Sequence, residues 1–210
     1  MKRIVAFFVR HGETDLNDPP DGGKERFRGD ADVLLNDSGK KQAEALVPLF
    51  NARDFSAAFH SGMQRTAQTL EPLMKAKGME AHEIEGLNSL NTGDFTGLPK
   101  NAENKEKLEY YRTHPNVRIP GGESVNEFRK RVDPRIMRII RLGEDAGKPT
   151  IAAMHGSIMR ELSRLLCGGD YNAVKVDPGG VVAIYKDQNG YSAVPILREN
   201  LSEEDIQPGS

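Results

Sequence analysis

The sequence has one cysteine, a near balance of charge and no hydrophobic run long enough to span a membrane. A lone Cys167 cannot form an intramolecular disulfide, which favours a reducing compartment, so the cytoplasm is the expected location. It follows Leu162, Leu165 and Leu166, and this predicts a buried small hydrophobic residue rather than a reactive thiol. The 29 Lys and Arg against 31 Asp and Glu give a net charge of -2. This balance predicts no general attraction to nucleic acid or to an anionic membrane.

The 210 residues suffice for one α/β domain with a full core. Apolar runs predict strands at 4–9, 55–59, 80–84 and 150–154 and a hairpin over 181–196, with amphipathic helices starting near Asp37, Met63, Ser124 and Ile158. This alternation predicts an α/β fold with three layers, helix, sheet and helix, and a mostly parallel sheet. Residues 86–122 lack apolar periodicity and are expected to form a small cap-like insertion. We expect a single domain over 1–200 and a loose tail over 201–210.

Local signals predict where individual helices begin or bend. Asp37 and Ser38 offer capping side chains for the first helix, and Pro48 predicts a kink or an early end. Residues 124–127, Ser-Val-Asn-Glu, have the form of a capping box. Pro134 predicts a kink in the helix that follows.

Four basic side chains are positioned by this pattern around one edge of the sheet. Arg10 and His11 follow the first strand, His155 follows the strand at 150–154, and Arg65 opens a helix. In open α/β sheets, ligands bind at the carboxyl ends of the strands, so we expect these groups on one rim. Two arginines can hold a phosphoryl group by bidentate hydrogen bonds, whereas they disfavour a metal cation. The sequence therefore predicts a phosphoryl site with no metal and no cofactor.

Further segments occur in a fixed order along almost the whole chain. They are residues 10–14 (Arg-His-Gly-Glu-Thr), Asn17, residues 26–29, Gln42-Ala43, residues 61–69, residues 93–97, residues 120–124 and His155-Gly156. Together they resemble the histidine phosphatase superfamily, also called phosphoglycerate-mutase-like. The resemblance implies that His11 is a nucleophile that forms a phosphohistidine, with Arg10 and Arg65 as phosphate clamps and His155 as the second histidine. It also implies that Asn17 contacts phosphate or substrate.

Covalent catalysis of this kind replaces one difficult hydrolysis by two transfers, first to imidazole and then to water. His11 must attack through an unprotonated nitrogen, so we expect a backbone carbonyl to fix its other nitrogen. The neighbouring arginines oppose formation of the imidazolium until the phosphate dianion arrives.

The proton donor for the leaving group departs from the family pattern. Some members carry a glutamate two residues after the leucine that matches Leu87, and a second branch carries an aspartate two residues later. This chain has Ser89 and Asn91 at those positions, and neither can donate a proton as an acid. Asp94 is the first candidate for the general acid. Further candidates by sequence are Glu13, Glu83 and Glu85. Loss of the acid would lower the rate of the reaction by about 10²–10⁴-fold. It would favour a substrate whose leaving group needs no proton, such as a phosphoanhydride or a phosphoramidate. The alternative is that another carboxylate of the insertion folds back and donates.

Three further basic residues are candidates for roles at or near the site. Arg28 replaces a small polar residue or glutamine of the relatives; it is either a solvated loop residue or a ligand for a second anionic group on the substrate. Arg26 is expected to support its loop. His60 replaces a serine and is expected to pack or cap rather than catalyse.

The short chain and reduced insertion favour a metal-independent histidine acid phosphatase-like hydrolase over a mutase. A phosphoglycerate-mutase-type phosphotransferase is the first alternative, and a catalytically weak phosphate-binding or regulatory protein is the second. The expected partner is a small phosphorylated substrate, with neither nucleic acid nor membrane, and a homodimer is compatible with the sequence.

Overall fold

The computed structural model describes residues 2–196, and its centre is a mixed sheet of six strands. The strands are β1 (Arg3–Arg10), β2 (Ala58–His60), β3 (Ala81–Glu83), β4 (Thr150–Met154), β5 (Val181–Asp187) and β6 (Gly190–Ile196). Their order across the sheet is β3-β2-β4-β1-β5-β6. The first four in this order pair in parallel, while β5 is antiparallel to both neighbours. The predicted open, mostly parallel α/β sheet is confirmed, as is the closing hairpin.

Helices cover both faces of this sheet. They are α1 (Asp37–Glu44), α2 (Leu46–Leu49), α3 (Gln64–Lys77), α4 (Ala102–Thr113), α5 (Val125–Ala146) and α6 (Gly156–Leu166), with a short 3₁₀ turn at Gly93–Phe95. Phe8 packs on one face in a cluster with residues of α5 and α6. Phe7 and Val9 face the opposite way and pack with α2 and α3. The alternation along β1 thus supplies two cores, because successive side chains point to opposite faces.

The first helix is interrupted as the proline predicts, but its cap is a different residue. Asn36 caps α1 by accepting a hydrogen bond from the backbone N–H of Gly39 at 2.8 Å, in place of the expected Asp37 or Ser38. The chain breaks between α1 and α2 at Ala45. Pro48 has no N–H to donate to the carbonyl four residues earlier, which accounts for the break.

In α5 the sequence signals have different outcomes. The capping box is confirmed, with Ser124 and Glu127 bonding each other's backbone N–H groups. Pro134 lies inside the helix, which nevertheless continues to Ala146. Gly143 lets α5 approach β1 closely, since a Cβ at this position would overlap the carbonyl oxygen of Val5.

The second strand begins later than the apolar run predicts. Phe55 is buried but precedes β2, and its ring packs against Phe7 and Phe50 at centroid distances of 6.1 and 5.5 Å. Only Ala58–His60 pair with β4 and β3. An aromatic residue that is buried beside a sheet gives the same apolar signal as one within it.

Residues 86–122 contain the 3₁₀ turn and α4 and lie over the face that carries α5 and α6. Their buried apolar residues, Leu87, Leu90, Phe95, Leu108 and Ile119, join the core cluster of that face. Cys167 is half-buried against the same cluster. The predicted tail at 201–210 lies outside the described residues. Among residues 2–196, no helix is both long and apolar enough to cross a membrane.

Candidate functional site

A cavity of about 870 Å³ opens beside the carboxyl ends of β1 and β4. Arg10 pairs in register with Met154, so the residues that follow, His11 and His155, leave the sheet side by side. The backbone N–H of His11 donates to the carbonyl of Met154 at 2.8 Å, and the two imidazole rings lie 5.5 Å apart between centroids. The equal register of two parallel strands therefore brings the histidines together across 144 residues of sequence.

The ring of His11 is fixed by its own neighbour in the chain. Its Nδ1 lies 2.7 Å from the carbonyl oxygen of Gly12. A carbonyl only accepts, so Nδ1 carries the proton and Nε2 is left with its lone pair. Thr69 holds the loop by accepting from the N–H of Gly12 at 2.9 Å. The expected contact with a backbone carbonyl is confirmed, and the free nitrogen is the one a nucleophile requires.

Close backbone packing also holds this loop in place. A Cβ on Gly12 would lie 2.6 Å from the carbonyl oxygen of Gly39 in α1, and a Cβ on Gly39 would overlap the carbonyl of Glu13. Both glycines are therefore required by contact between the loop that follows His11 and the first turn of α1.

His155 is held by Ser61, which precedes α3, and through it by Thr66 in the first turn of α3. Its Nε2 lies 2.7 Å from Ser61 Oγ, and Ser61 Oγ lies 3.0 Å from Thr66 Oγ1. Both the ring of His155 and the hydroxyl of Ser61 are buried. The Nδ1 of His155 is buried without a hydrogen-bond partner among the described residues.

Three arginines surround the histidines, each held by backbone carbonyls or a carboxylate. Arg10 donates to the carbonyl of Val176 at 2.7 Å, and Arg65 donates to that of Ala31 at 2.6 Å. Arg28 forms an ion pair with Glu25 at 3.5 Å. Within residues 2–196, the buried side-chain atoms that lack any hydrogen-bond partner are Arg10 Nε, Arg28 Nη1, Arg65 Nε, His155 Nδ1 and Asp133 Oδ1. All but the last belong to this site.

Burial and mutual repulsion shape the titration of these groups. Burial, followed by the charges of Arg28 and Arg65, holds the pKa of His11 well below its usual value. Burial and then Arg65 and His11 do the same to the pKa of His155. Burial and neighbouring positive charge lower the pKa of Arg28 and of Arg65 to about 10. The arginines stay protonated at neutral pH while both histidines are neutral, so the site attracts an anion.

A second layer of charge lines the cavity beyond the arginines. Asn17 lines the wall and donates to Glu25 at 3.2 Å. Lys100 donates to the same carboxylate at 2.5 Å, and burial lowers the pKa of Lys100 to about 8. Glu25 and Lys100 were not expected from the sequence. Neither lies in a segment with apolar periodicity, and their loops meet through tertiary contacts, which include the bridge between Arg26 and Pro99 and the hydrogen bond from the N–H of Lys100 to the carbonyl of Glu25.

Ser89 and the carboxylates considered for the general acid lie in different places relative to the cavity. Ser89 lines the cavity and its hydroxyl lies 3.1 Å from that of Ser157. Asp94 is exposed and lies next to Gly121, and it is not among the residues that line the cavity. Of the other candidates, Glu13 lines the cavity and accepts from Asn36 at 3.0 Å. The structure thus brings His11, His155, Arg10 and Arg28 together at the cavity, and Asp94 lies outside it.

The remaining sequence interpretations concern supporting residues. His60 accepts a hydrogen bond from the N–H of Gly62 at 3.0 Å and so supports the turn before α3, whose N-cap is Met63 without a side-chain cap. Arg26 donates to the carbonyl of Gly97 at 3.2 Å and so supports its loop. Among residues 2–196, no group of three or more His, Cys, Asp or Glu is arranged to hold a metal ion.

Comparison with known proteins agrees with this geometry. A family model described as histidine phosphatase superfamily (branch 1) matches residues 6–195. A 2,3-bisphosphoglycerate-dependent phosphoglycerate mutase of Mesorhizobium japonicum is 31% identical over 197 residues, which cover 89% of this chain and 93% of the relative. A phosphoglycerate mutase of Schizosaccharomyces pombe is 29% identical over 198 residues, which cover 89% of this chain and 92% of that protein.

Solved structures share the fold. A mycobacterial glucosyl-3-phosphoglycerate phosphatase superposes with a TM-score of 0.72 at 19% identity, over 100% of both chains. An alpha-ribazole phosphatase of Shigella flexneri gives a TM-score of 0.72 at 24% identity, over 96% of this chain and 98% of that one. At these identities the likeness concerns the fold alone.

Proposed function

The chain belongs to the histidine phosphatase superfamily, and on this premise we propose that it hydrolyses phosphomonoesters or phosphoanhydrides through a phosphohistidine on His11. The observation that carries the proposal is the set of buried polar atoms without hydrogen-bond partners, one of which, Arg28 Nη1, has only the longer ion pair with Glu25. Such atoms are rare in folded proteins, and here three arginines and one histidine contribute them around His11. A phosphoryl group offers several oxygens to guanidinium donors at once, so it can satisfy them together.

In the proposed reaction, His11 Nε2 attacks phosphorus and forms a P–N bond while the bond from phosphorus to the leaving oxygen breaks. The leaving group departs with that electron pair. Arg10 and Arg65 stabilise the charge on the equatorial oxygens, and they are held in place before the substrate binds. Water then attacks phosphorus, the P–N bond breaks, and His11 regains its lone pair.

Two features favour hydrolysis over mutase activity. A mutase must return the phosphoryl group to a hydroxyl, which requires a group that exchanges protons with that hydroxyl. Ser89 and Ser157 bond to each other where the family's glutamate would stand, and neither is an acid. The carboxylates that line the cavity lie on other segments: Glu13 and Glu25 on loops, and Glu106 and Glu109 on α4 of the insertion. The cavity of about 870 Å³ also leaves room for water beside a bound phosphate. A leaving group that departs without a proton, such as a phosphoanhydride, suits this arrangement.

Mutase activity is the second candidate because the curated relatives of about 30% identity carry that name. The two functions are separated by assaying hydrolysis and the conversion of 3-phosphoglycerate, primed by 2,3-bisphosphoglycerate, with the same preparation. The proposal expects phosphate release without isomer formation. Isomer formation that outpaces phosphate release would favour the mutase.

The nucleophile is tested with p-nitrophenyl phosphate, whose leaving group needs little protonation. His11→Ala should abolish turnover, while His82→Ala, an exposed histidine on β3, should retain it. A radiolabelled phosphoanhydride followed by an alkaline denaturing quench should leave the label on His11. Label on another residue would refute the assignment, and no hydrolysis by the wild type between about pH 4 and 8 would support the catalytically weak phosphate-binding alternative.

We further propose that Arg28 and Lys100 bind a second anionic group of a small phosphorylated substrate. Both line the cavity, and the single carboxylate of Glu25 is shared between them. Arg28→Ala should therefore weaken multiply anionic substrates more than p-nitrophenyl phosphate, measured as the ratio of kcat/KM values. An unchanged ratio would remove Arg28 from substrate selection.

A further inference from the structure

Three hydroxyl and carbonyl groups form a chain that begins at the ring of His155. Its Nε2 lies 2.7 Å from Ser61 Oγ, which lies 3.0 Å from Thr66 Oγ1. Thr66 Oγ1 in turn lies 2.7 Å from the backbone carbonyl of Met63. All three side chains are almost fully buried, so these contacts are not exchanged for water. We refer to Ser61, Thr66 and the carbonyl of Met63 as the hydroxyl relay.

The direction of the hydrogen bonds in the relay follows from its last member. The carbonyl of Met63 can only accept, and two oxygens at 2.7 Å need a hydrogen between them, so Thr66 donates its one hydroxyl proton there. Thr66 Oγ1 must then accept from Ser61. Ser61 has also one hydroxyl proton, which is now committed to Thr66. The contact between Ser61 and the ring therefore requires a proton on His155 Nε2.

From these hydrogen-bond directions we propose that Ser61 and Thr66 are positioning residues that fix neutral His155 as the Nε2–H tautomer. In this tautomer Nδ1 is left as a proton acceptor beside the phosphate site. His11 is held as the opposite tautomer by Gly12. The two neighbouring rings thus have different tasks, one with Nε2 open for attack on phosphorus and the other with Nδ1 open for a proton.

An acceptor at this point is useful because the groups around it are donors. Arg10, Arg28 and Arg65 carry only N–H groups, and His155 Nδ1 has no partner among the described residues. A phosphate oxygen that carries a proton can share that proton with Nδ1, which becomes N–H as the oxygen becomes fully anionic. No other bond changes in this step. The phosphate dianion is then bound by the arginines and by one further donor, the N–H at Nδ1 of His155.

The tautomer of His155 does not depend on the proposed function. Only the role of Nδ1 toward phosphate rests on the proposed function. The test uses the ¹⁵N-labelled full chain without substrate and reads the two ring nitrogens of His155 by long-range ¹H–¹⁵N correlation. The chain has five histidines, and the signals lost in His155→Gln identify the ring. We expect a protonated Nε2 and an unprotonated Nδ1 in the wild type. A protonated Nδ1 would overturn the proposal without any variant.

Thr66 provides the matched pair of variants. Thr66→Val removes the acceptor of the Ser61 proton, so Ser61 should turn to donate to Nε2 and shift the ring toward the Nδ1–H tautomer. Thr66→Ser keeps the hydroxyl and should restore the wild-type spectrum. An unchanged spectrum in folded Thr66→Val would refute the relay, whatever the enzyme activity.

Kinetics then connect the tautomer to the phosphate site. Thr66→Val should lower kcat roughly 10- to 100-fold, since a wrong histidine tautomer is costly in other active sites, and Thr66→Ser should recover most of that loss. If the spectra behave as expected while p-nitrophenyl phosphate is not hydrolysed by the wild type, the proposed function fails and the relay stands. If hydrolysis proceeds equally in both variants, the use of Nδ1 on phosphate is refuted.

Discussion

The two buried histidines should make the fold sensitive to acid, and the magnitude follows from their environment. His11 and His155 are both about 1% exposed, and burial together with nearby arginines holds their pKa values well below 6.5 in the folded state. In the unfolded chain each pKa returns to about 6.5. The unfolded state therefore binds more protons below that pH, and the free energy of unfolding decreases as the pH falls.

The expected loss can be worked out for a fall from pH 7.5 to 5.5. At pH 7.5 both states are almost unprotonated at these rings, so their contribution to stability is complete. At pH 5.5 the unfolded state gains about 1.4 kcal/mol from protonation of each histidine, or about 3 kcal/mol for both. This is a large part of the 5–15 kcal/mol typical of a folded domain. Bound phosphate should reduce the loss, because an anion favours the protonated rings.

Urea unfolding of the wild type and of His155→Gln at the two pH values measures this term. The wild type should lose about 1.4 kcal/mol more than the variant between pH 7.5 and 5.5, since other titrating groups are common to both. His82→Gln, with an exposed histidine, should behave as the wild type does. Equal losses in the wild type and His155→Gln would show that the folded ring titrates normally, and the electrostatic account of the site would be wrong.

Three further substitutions test the surroundings of the site. Arg65→Lys should lower kcat/KM for p-nitrophenyl phosphate by about 10²–10³-fold in steady-state assays, since a point charge cannot replace two directed donors. Gly39→Ala should cost about 1–3 kcal/mol in urea unfolding and reduce kcat, because its Cβ would displace the carbonyl of Glu13. Glu161→Ala should cost about 1–3 kcal/mol in urea unfolding with little effect on KM, because its carboxylate bonds Arg164 outside the cavity and Arg164 keeps Asp133 as a partner.

The parts of the fold that the sequence predicted are those with local causes. The alternation of buried strands and amphipathic helices, the capping box at Ser124 and the break near Pro48 each depend on residues within one or two turns. The cap of α1 was wrong by one residue, because Asn36, Asp37 and Ser38 all have suitable side chains and only the backbone geometry selects among them. The start of β2 was placed too early because Phe55 is buried for a reason other than strand pairing.

The site was predictable only as far as its residues follow strand ends. His11 and His155 come together because β1 and β4 pair in register, which the strand-end rule anticipates. Glu25 and Lys100 lie on loops that meet through tertiary contacts, and no spacing in the sequence connects them. The proton donor was also not predictable from sequence position. Asp94 is near the expected position in the sequence, yet its side chain is directed toward Gly121.

The first two turns of α3 carry residues that contact the loop of His11 and the relay to His155, and they also carry Arg65. Thr69 holds the loop of His11, Arg65 is buried with its charge close to both histidines, and Thr66 contacts Ser61 in the hydroxyl relay to His155. Thr69 also donates to the carbonyl of Arg65, so its hydroxyl serves the helix and the loop together. Because one helix turn spans 3.6 residues, positions 65, 66 and 69 share a face, and a shift of α3 must move all three contacts at once. One helix therefore contacts both the loop whose Gly12 carbonyl fixes the ring of His11 and the relay that we propose fixes the ring of His155.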